Sequence, residues 1–478
     1  MRAIYWKELS ELVRSLRFVI SSALFLSAMT LNGFVTGGFY QDLSRMRSEL
    51  ETQNEARLID AAQSVEQLAL RFAEGFGGGR ELTLSAPPPR LLHVLGSPEL
   101  SGPKVVNWSF PDLIEPEWGK SWNDELPARP ALDWEFLVRI LLSFIAIILV
   151  YDIIVGERES GTLRFTLSYP VTRAALLGGK FLAVMTIIAW LLLAGSLTST
   201  LVYLARSGVH LKGLDYARLA LFLCGSLLYL GIFVAVGLLI SSRTRNSVSS
   251  LVMLLIFWLT VTVIIPRGGT MAVQGLVRTV TDVQVERKVM PEIERQISDM
   301  LGDMDAFVRS DVEVARRDDF ATERRFAQRM NQLLNVMRTH IELQQESYRR
   351  QASILQNVMR LTPAGLYQLG SERLMGTGDL RQRRLHQSVA AWAAQFVAFV
   401  RQQDQSDPAS PHIYYVEKYL SQRAVDPATI PRWSMEEPTL AECLKGAAWE
   451  WLWLALELCV ALCVALASFK RGTIAEIS

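Results

Sequence analysis

The stretch LLSFIAIILVYDIIVGERESGTLRFTLSYPVTRAALLGGKFLAVMTIIAWLLLAG, residues 141–195, joins two long apolar runs through a short charged segment. A helix needs about 20 mostly apolar residues to cross about 30 Å of hydrocarbon. Each apolar run, taken with its neighbouring residues, is long enough to cross. In lipid, the backbone polar groups must pair with one another, which favours a helix. The stretch therefore predicts two membrane-spanning helices connected by residues 156–173.

Apolar runs of this kind recur along the 478 residues, of which 50% are apolar, and the mean hydropathy is +0.20. Such clustering predicts an all-α polytopic membrane protein with six transmembrane helices. The predicted spans are residues 18–39, 134–154, 174–204, 215–240, 248–266 and 447–469. The net charge of +1 gives no bulk attraction to nucleic acid, so none is expected as a partner.

Lysine and arginine in the short connections set the predicted orientation, because they favour the cytoplasmic side. They precede the first span, follow the sixth, and lie in the connections after the second and fourth spans. The short loop on the opposite side carries Arg206 and Lys212, so the bias is clear without being absolute. Both termini are therefore predicted to be cytoplasmic, in a multi-pass protein of the inner membrane. The segments 1–17, 155–173 and 470–478 then lie inside, and the insertions 40–133 and 267–446 lie outside.

The two outer insertions are predicted to be largely helical. The first begins with a polar helical stretch over 41–74, followed by an irregular region with short strands. The second has no proline between Pro291 and Pro363 and repeats apolar residues at helical spacing. Because one helix of this length would be very long, a break is expected near 310–321. A further helix is expected over 379–403.

The first 17 residues form an amphipathic pattern before the first span. Tyr5 and Trp6 suit the headgroup level of a membrane, with Lys7 and Glu8 beside them. The segment is predicted to be an interfacial helix on the inner leaflet or a helical lead-in to the first span, and both descriptions can hold together.

The charged segment between the second and third spans has a composition suited to contact with another protein. It consists of a charged start (Glu157, Arg158 and Glu159), a turn (Gly161 and Thr162), apolar side chains (Leu163, Phe165 and Leu167), and Pro170, which breaks a helix before the next span. Apolar side chains presented in this way can insert into a groove of a cytoplasmic partner. Short amphipathic inner loops are also common in polytopic proteins without such a role.

Residues 151–180, YDIIVGERESGTLRFTLSYPVTRAALLGGK, resemble the signature of type-2 ABC transporter permeases, the ABC-2 type. The matching positions are Glu157, Glu159, Gly161, Thr162, Leu163, Leu167, Pro170, Val171 and Arg173, with Lys180 at the start of the next span. The stretch WKEL at Trp6–Leu9 resembles the opening interfacial helix of the same family. The resemblance implies that residues 155–173 form a coupling helix that docks on an ATP-binding subunit.

The outer insertions exceed those of the simplest family members, whose outer loops are short. A subset with large extracytoplasmic insertions exists. Three stretches of this chain are similar to it, namely IIPR at 264–267, LTPA at 361–364 and GTG at 376–378. The resemblance does not identify a substrate, which the outer insertions are expected to determine.

Nucleotide binding is expected on another chain. The glycine-rich stretch GFGGGR at 75–80 lacks the Gly-Lys-Ser/Thr ending that places a lysine on phosphates. The resemblance therefore implies a non-catalytic membrane subunit without a cofactor, with ATP and Mg bound by an ATPase present in two copies. A second permease half, identical or paralogous, would complete the complex within membrane lipid. The sequence shows no catalytic or metal-binding constellation of residues.

Glu457 is placed near the middle of the sixth predicted span, where an unpaired charge is costly. Glu450 lies on the same face nearer the outer surface, and Arg139 in the second span could pair with it. These residues could line a permeation path or relay protons. Alternatively, Glu457 fixes helix packing as a buried carboxyl. Its expected hydrogen-bonding partners are then Thr260, Thr262 or Tyr229.

The leading hypothesis is a permease subunit that couples ATP hydrolysis on the partner to export across the inner membrane. The alternative is a mechanotransmitter, in which the spans relay ATPase motion to the outer domains and no substrate crosses. Long outer helices and the lack of an obviously polar span lining keep this alternative open. A membrane enzyme is a third class, and no visible set of catalytic residues supports it.

Overall fold

The computed structural model describes residues 2–70, 84, 86–95, 106–110, 113–116, 132–163, 172–277, 291, 295, 298, 320–414 and 419–475. Most of these residues are helical. The helices are α1 (Arg2–Val13), α2 (Leu16–Ala61), α3 (Val65–Leu68), α4 (Trp134–Phe136), α5 (Ser143–Val150), α6 (Val155–Glu159), α7 (Arg173–Ser207), α8 (Gly213–Arg243), α9 (Ser247–Leu259), α10 (Ile265–Leu276), α11 (Ala321–Met359), α12 (Pro363–Met375), α13 (Asp379–Gln405) and α14 (Leu440–Ala475).

Shorter elements complete the described chain. π-helical turns join α4 to α5 over Leu137–Leu142 and α9 to α10 over Thr260–Ile264, and a 3-10 turn forms at Pro427–Thr429. Strands β1 (Val106–Phe110) and β2 (Leu113–Pro116) pair antiparallel as a hairpin. The hairpin belongs to the first insertion, where the sequence predicts short strands.

Six helical segments are long and apolar enough to cross a membrane. They are Leu16–Ala61, Trp134–Glu159, Arg173–Ser207, Gly213–Arg243, Ser247–Val273 and Leu440–Lys470. The predicted fold class, a nearly all-helical chain with six candidate transmembrane helices, is confirmed. The orientation of these helices and the boundaries of the outer domains stay predictions.

The first span does not end where its apolar run ends. Its helix α2 begins after Ser15, whose Oγ accepts the N–H of Phe18 at 3.2 Å, a typical N-cap bond. The helix then continues for 46 residues to Ala61. The polar helix predicted over 41–74 is therefore largely the continuation of the first span.

Two large hydrophobic cores, and a small cluster of Leu43, Leu92 and Tyr203, form among the described residues. The larger core fills the space among the candidate spans and also contains Leu366 and Tyr367 of α12. The Tyr367 ring stacks on Tyr229 of α8 with centroids 4.6 Å apart. The second core combines the far end of α2 with one face of α13, including Trp392 and Phe396. The first-span helix thus contributes to both cores.

Small residues allow α2 and α7 to pack closely. A Cβ atom on Gly33 would collide with the backbone carbonyl of Ser199, and one on Gly195 would lie 2.7 Å from the Phe25 ring. Such close approach between membrane helices depends on residues without bulk at the contact.

The second insertion contributes three described helices, α11, α12 and α13. The helix predicted over 379–403 is observed as Asp379–Gln405 and is confirmed. Helix α11 begins at Ala321, and the break predicted near 310–321 falls largely outside the described residues. Helix α12 is capped by Thr362, which accepts the N–H of Gly365, and ends at Gly376 with φ +65°. The LTPA and GTG stretches therefore mark the two ends of α12.

Candidate coupling site

The connection between the second and third spans folds back on itself over residues 151–163, here called the elbow. It contains the five-residue helix α6, followed by Ser160 and by Gly161 with φ +74°. This left-handed conformation suits glycine, which has no Cβ to clash with the backbone. The Ser160 and Thr162 hydroxyl oxygens lie 2.9 Å apart, and Thr162 Oγ1 donates to the Glu157 carbonyl at 3.3 Å. The elbow is therefore a defined turn in the described structure.

Lys180, near the start of α7, is the charged centre beneath the elbow. Its Nζ lies 2.5 Å from Glu8 Oε1 of α1 and 3.1 Å from Glu157 Oε1 of the elbow, and it donates to the Ile153 carbonyl at 3.1 Å. Lys180 is 1% exposed and Glu8 is 5% exposed. Burial raises the pKa of the Glu8 carboxyl, and Lys180 opposes this shift. The lysine joins α1, the elbow and α7 at one buried point.

Two half-exposed basic residues reinforce the same junction. Lys7 Nζ lies 3.2 Å from Glu157 Oε1, and Arg17 Nη1 lies 2.6 Å from Asp152 Oδ2. Partial burial lowers the pKa of Lys7, but the hydrogen bond and charge of Glu157 outweigh it, so the net pKa is raised. The Arg17 guanidinium also lies 4.9 Å from the centroid of the Tyr151 ring.

Charged elbow side chains also bind the junction between α8 and α9. Arg158 donates from Nη1 to the Thr244 carbonyl at 2.7 Å and from Nη2 to the Ser242 carbonyl at 3.1 Å. Glu159 accepts the Ser247 N–H at 2.9 Å and the Ser247 hydroxyl at 2.5 Å. The planar guanidinium can reach two carbonyls at once, which a lysine cannot do with fixed geometry.

Buried serines fasten the elbow backbone to the same helices. Ser241 Oγ accepts the N–H groups of Ile154 and Val155 at 3.2 and 3.1 Å. Ser250 Oγ donates to the Tyr151 carbonyl at 2.6 Å. These backbone groups leave the helical pattern between α5 and α6, so they need other partners.

Most of the predicted coupling residues are thus engaged within the chain. The sequence interpretation treats Glu157 and Arg158 as polar contacts for a motor, but here they bind Lys180, Lys7 and the α8–α9 junction. Their contact with another chain stays a prediction.

The exposed part of the elbow is its tip, Glu159 to Thr162. Leu163 is 4% exposed and belongs to the main core. Arg173 donates from Nη1 to the Lys470 carbonyl at 2.8 Å. The predicted contact residues Phe165, Leu167 and Pro170 lie outside the described residues.

The helix predicted before the first span is observed as α1, which packs on α7, and its position at the membrane interface stays a prediction. Tyr5 donates its hydroxyl to Thr186 Oγ1 at 3.2 Å, while Trp6 is 58% exposed. Its polar residues Lys7 and Glu8 point to the elbow charges. Helix α1 therefore supports the elbow directly, beyond the role of a lead-in to the first span.

The predicted pairing of Arg139 with Glu450 is wrong. Arg139 Nε lies 2.5 Å from Glu135 Oε1, one turn earlier on the same helical segment, where charged side chains meet readily. Glu450 is fully buried and lies 2.9 Å from Arg360 Nη2 and 2.6 Å from Arg373 Nη1. Both arginines come from the second insertion, a long-range contact that no spacing in the sequence reveals.

The hydrogen-bonding partners predicted for Glu457 are not observed at that carboxyl. Tyr229 donates to the Arg139 carbonyl at 3.0 Å, and Thr260 donates to the Ile256 carbonyl at 2.7 Å. Glu457 Oε2 has no hydrogen-bond partner among the described residues. The role of this carboxyl in transport stays a prediction.

Sequence reasoning gave Lys180 only as a motif position and missed Asp152, Ser241 and Ser242. A lysine just inside an apolar run is itself a signal, since buried membrane lysines need partners. The serines carry no such signal, because serine is common in membrane helices.

Comparisons with known proteins give the family of the chain. A family model described as "ABC-2 family transporter protein" matches residues 2–472. A "Probable ABC transporter permease protein NosY" of Pseudomonas aeruginosa is 37% identical over 114 residues, and one of Stutzerimonas stutzeri is 34% identical over 123 residues. The matches cover 24% and 26% of this chain and 42% and 44% of those relatives, so the chain spans less than half of their length. Because the family model covers almost the whole sequence, the chain belongs to the ABC-2 transporter family.

Proposed function

We propose that this chain is the permease subunit of an ABC transporter, which couples ATP hydrolysis in a separate ATPase subunit to export across the inner membrane. Family membership and the names of the curated relatives support this function. The observation that carries it is the elbow, because one short turn is fastened to α1, α7 and the α8–α9 junction. Movement of the elbow would therefore move four of the candidate spans together.

The contacts of the elbow suggest how a displacement caused by the ATPase would reach the candidate spans. The exposed tip, Glu159 to Thr162, would be the surface available to an ATPase. Lys180 and Glu8 would pass its displacement to α1 and α7, and Arg158 with Glu159 would pass it to α8 and α9. The buried Lys180–Glu8 pair is costly to separate, so α1 and α7 would move together rather than slide past one another.

The full complex would contain further subunits. Two ATPase copies would hold ATP and Mg, while this chain would bind neither and catalyse no reaction. The fifth and sixth candidate spans have only 17% and 22% of their most apolar stretches buried within the chain. These faces would meet lipid and a second permease half, either a second copy or a paralogue.

The test is co-purification and reconstitution of the complex in proteoliposomes, with ATPase activity as the readout. Ser160→Trp adds bulk at the exposed tip and is expected to weaken ATPase capture and stimulation. The matched control is Ser406→Trp, at the exposed end of α13 on the predicted outer side, which is expected to leave both unchanged. Failure of the unmodified chain to capture any ATP-binding subunit would overturn the proposal.

Mechanotransmission is the second candidate, and the course of α2 favours it. The helix runs without a break from the first span into the second core, where Leu58 and Ala61 pack against α13. Spin labels on α13 and α7 would report ATP-dependent distance changes. A transmitter would show such changes in the absence of any substrate movement, whereas a permease would show ATP-dependent loss of an extracted substrate from the vesicles.

A further inference from the structure

A narrow pocket lies where four segments predicted to be outside the membrane meet. These are the residues around Arg90, the start of α8, the α12–α13 connection and the segment before α14. Three arginines line it, Arg90, Arg218 and Arg381, together with Asp215 and Glu437.

The charges in this pocket do not balance. Arg90 Nη1 lies 2.9 Å from Asp215 Oδ2, within hydrogen-bond distance. Glu437 is shared at longer range, 3.7 Å from Arg90 and 3.6 Å from Arg381. Arg218 has no carboxylate partner among the described residues, and its Nη2 donates to the neutral Pro438 carbonyl at 2.7 Å. One positive charge is therefore left over.

Two polar groups that line the pocket also lack hydrogen-bond partners in the described structure. The Thr377 hydroxyl belongs to a residue that is 2% exposed, and its Oγ1 is unpartnered, as is Arg218 Nε. Buried polar atoms are nearly always paired, with protein, water or a ligand. Both atoms are donors that an incoming oxygen could satisfy.

Arg381 also lies in a pocket environment with excess positive charge. Burial lowers the pKa of its guanidinium, Glu437 opposes this, and the nearby Arg218 lowers it further. Arginine stays charged under these conditions. A guanidinium that is buried and repelled by a neighbouring cation gains from an added anion.

The pocket opens at the level where α8 begins. Leu214 and Tyr216 on either side of Asp215 are 64% and 55% exposed. Exposed apolar and aromatic residues beside charged ones, at the end of a span, are typical of the membrane–water interface.

We propose that the pocket formed by Arg90, Arg218, Arg381 and Thr377 binds a phosphoryl oxyanion, carried by a lipid headgroup or free in solution. Arginines grip such groups through paired N–H···O bonds, and the Thr377 hydroxyl would donate one more. This site is separate from the elbow and does not depend on the proposed coupling function.

The test measures dissociation constants on the full-length protein in detergent with three probes. They are inorganic phosphate, short-chain phosphatidylglycerol, and a short-chain diacylglycerol that lacks the phosphate. Binding of either phosphate-bearing probe, without binding of the diacylglycerol, supports the proposal. Binding of phosphatidylglycerol alone assigns the headgroup as the source, and binding of inorganic phosphate alone assigns the free anion.

Three variants locate the site. Thr377→Val keeps the side-chain shape and is expected to weaken binding about tenfold, since a hydrogen bond to a charged group is lost. Arg218→Gln is expected to weaken it further. Arg383→Gln changes an arginine of α13 that is 61% exposed and does not line the pocket, so it should leave the dissociation constant unchanged. Should Arg218→Gln fail to fold, Thr377→Val decides. The proposal is overturned if neither phosphate-bearing probe binds, or if Arg383→Gln weakens binding as much as Thr377→Val.

Discussion

Lys180 is a single side chain on which three elements depend. Replacing it by Met would leave the buried Glu8 carboxylate without its close cation and would leave the partly buried Glu157 with Lys7 alone. Removing one partner of a buried ion pair typically costs about 3–5 kcal/mol, so Lys180→Met should lower the thermal stability strongly. Thermal unfolding of the purified protein in detergent measures this.

The matched control is Lys7→Met, because the Lys7 side chain is 49% exposed and also contacts Glu157. Exposed pairs contribute about 0–1 kcal/mol, so this variant should melt close to the unmodified protein. Adding Glu8→Gln and Glu157→Gln to Lys180→Met should restore part of the loss. If the Lys180 and Lys7 variants unfold at the same temperature, the buried charges do not stabilise this junction.

Burial of His93 predicts that the folding stability of the protein depends on pH. Its ring stacks on Tyr203 with centroids 4.1 Å apart, and burial lowers its pKa to about 3 from the usual 6.5. Below pH 6.5 the unfolded chain binds a proton at this residue while the folded chain does not. Folding stability should therefore fall as the pH decreases from 6.5 towards 3, by about 1.4 kcal/mol per pH unit.

Thermal unfolding of the His93→Phe variant at several pH values tests this change of stability with pH. Phenylalanine keeps an aromatic ring and does not titrate. Between pH 7 and pH 5 its stability should change less than that of the unmodified protein. His210→Gln serves as the control, because His210 is exposed and should retain the full slope. Parallel pH curves for His93→Phe and the unmodified chain would contradict the assignment.

At the residue scale, the sequence motif identified where the site lies but not what its residues touch. Glu157, Arg158 and Glu159 were predictable as a group from their spacing. Their partners were not, because Lys7, Ser242 and Ser247 come from distant parts of the chain. Only the folded backbone brings these groups within hydrogen-bond distance.

At the element scale, the continuity of α2 predicts that motion passes along this helix from the candidate spans to α13. Arg45 is exposed and lies beyond the apolar run, in the middle of this continuous helix. Arg45→Pro should break or kink the helix there, at a cost of about 3 kcal/mol. The membrane core should still form, while ATP-dependent distance changes at α13 should diminish.

Arg45→Ala is the control, since it removes the charge and keeps the helix. Both variants are compared by spin-label distances and by ATPase stimulation in proteoliposomes. If Arg45→Pro transmits motion as well as Arg45→Ala, the continuity of α2 has no mechanical importance.

The helices themselves were the most predictable elements. Apolar runs of sufficient length located all six candidate spans, because lipid leaves helices as the main way to pair the backbone. The continuation of α2 to Ala61 was missed, since hydropathy marks where a helix leaves the membrane and not where it ends. Helix α12 was also missed, because its short apolar pattern gains stability only by packing on α8 and α14.

At the scale of the whole molecule, Glu450 connects α11 and α12 to the last candidate span. It contacts Arg360 at the end of α11 and Arg373 of α12. Glu450→Gln removes the charge that holds both arginines, and the expected loss is about 3–5 kcal/mol for a buried network. Amide hydrogen exchange should show faster exchange in α11 and α12, with the elbow unchanged.

Glu436→Gln is the control, since Glu436 is exposed in the segment just before α14. It should leave exchange in α11 and α12 as it is in the unmodified protein. If Glu450→Gln also speeds amide hydrogen exchange in the elbow to the same degree, then Glu450 stabilises the entire fold and not this contact alone.

The unbroken length of α2 has a mechanical consequence. A helix of 46 residues is about 70 Å long, more than twice the thickness of the hydrocarbon layer it crosses. A rigid rod that pivots near one end amplifies small rotations at the other. A tilt of about 5° at the base would displace the far end by about 6 Å, enough to shift one side chain past its neighbour. Small rotations at the base of α2, where Arg17 binds Asp152 of the elbow, would thus become displacements of several ångströms at its far end.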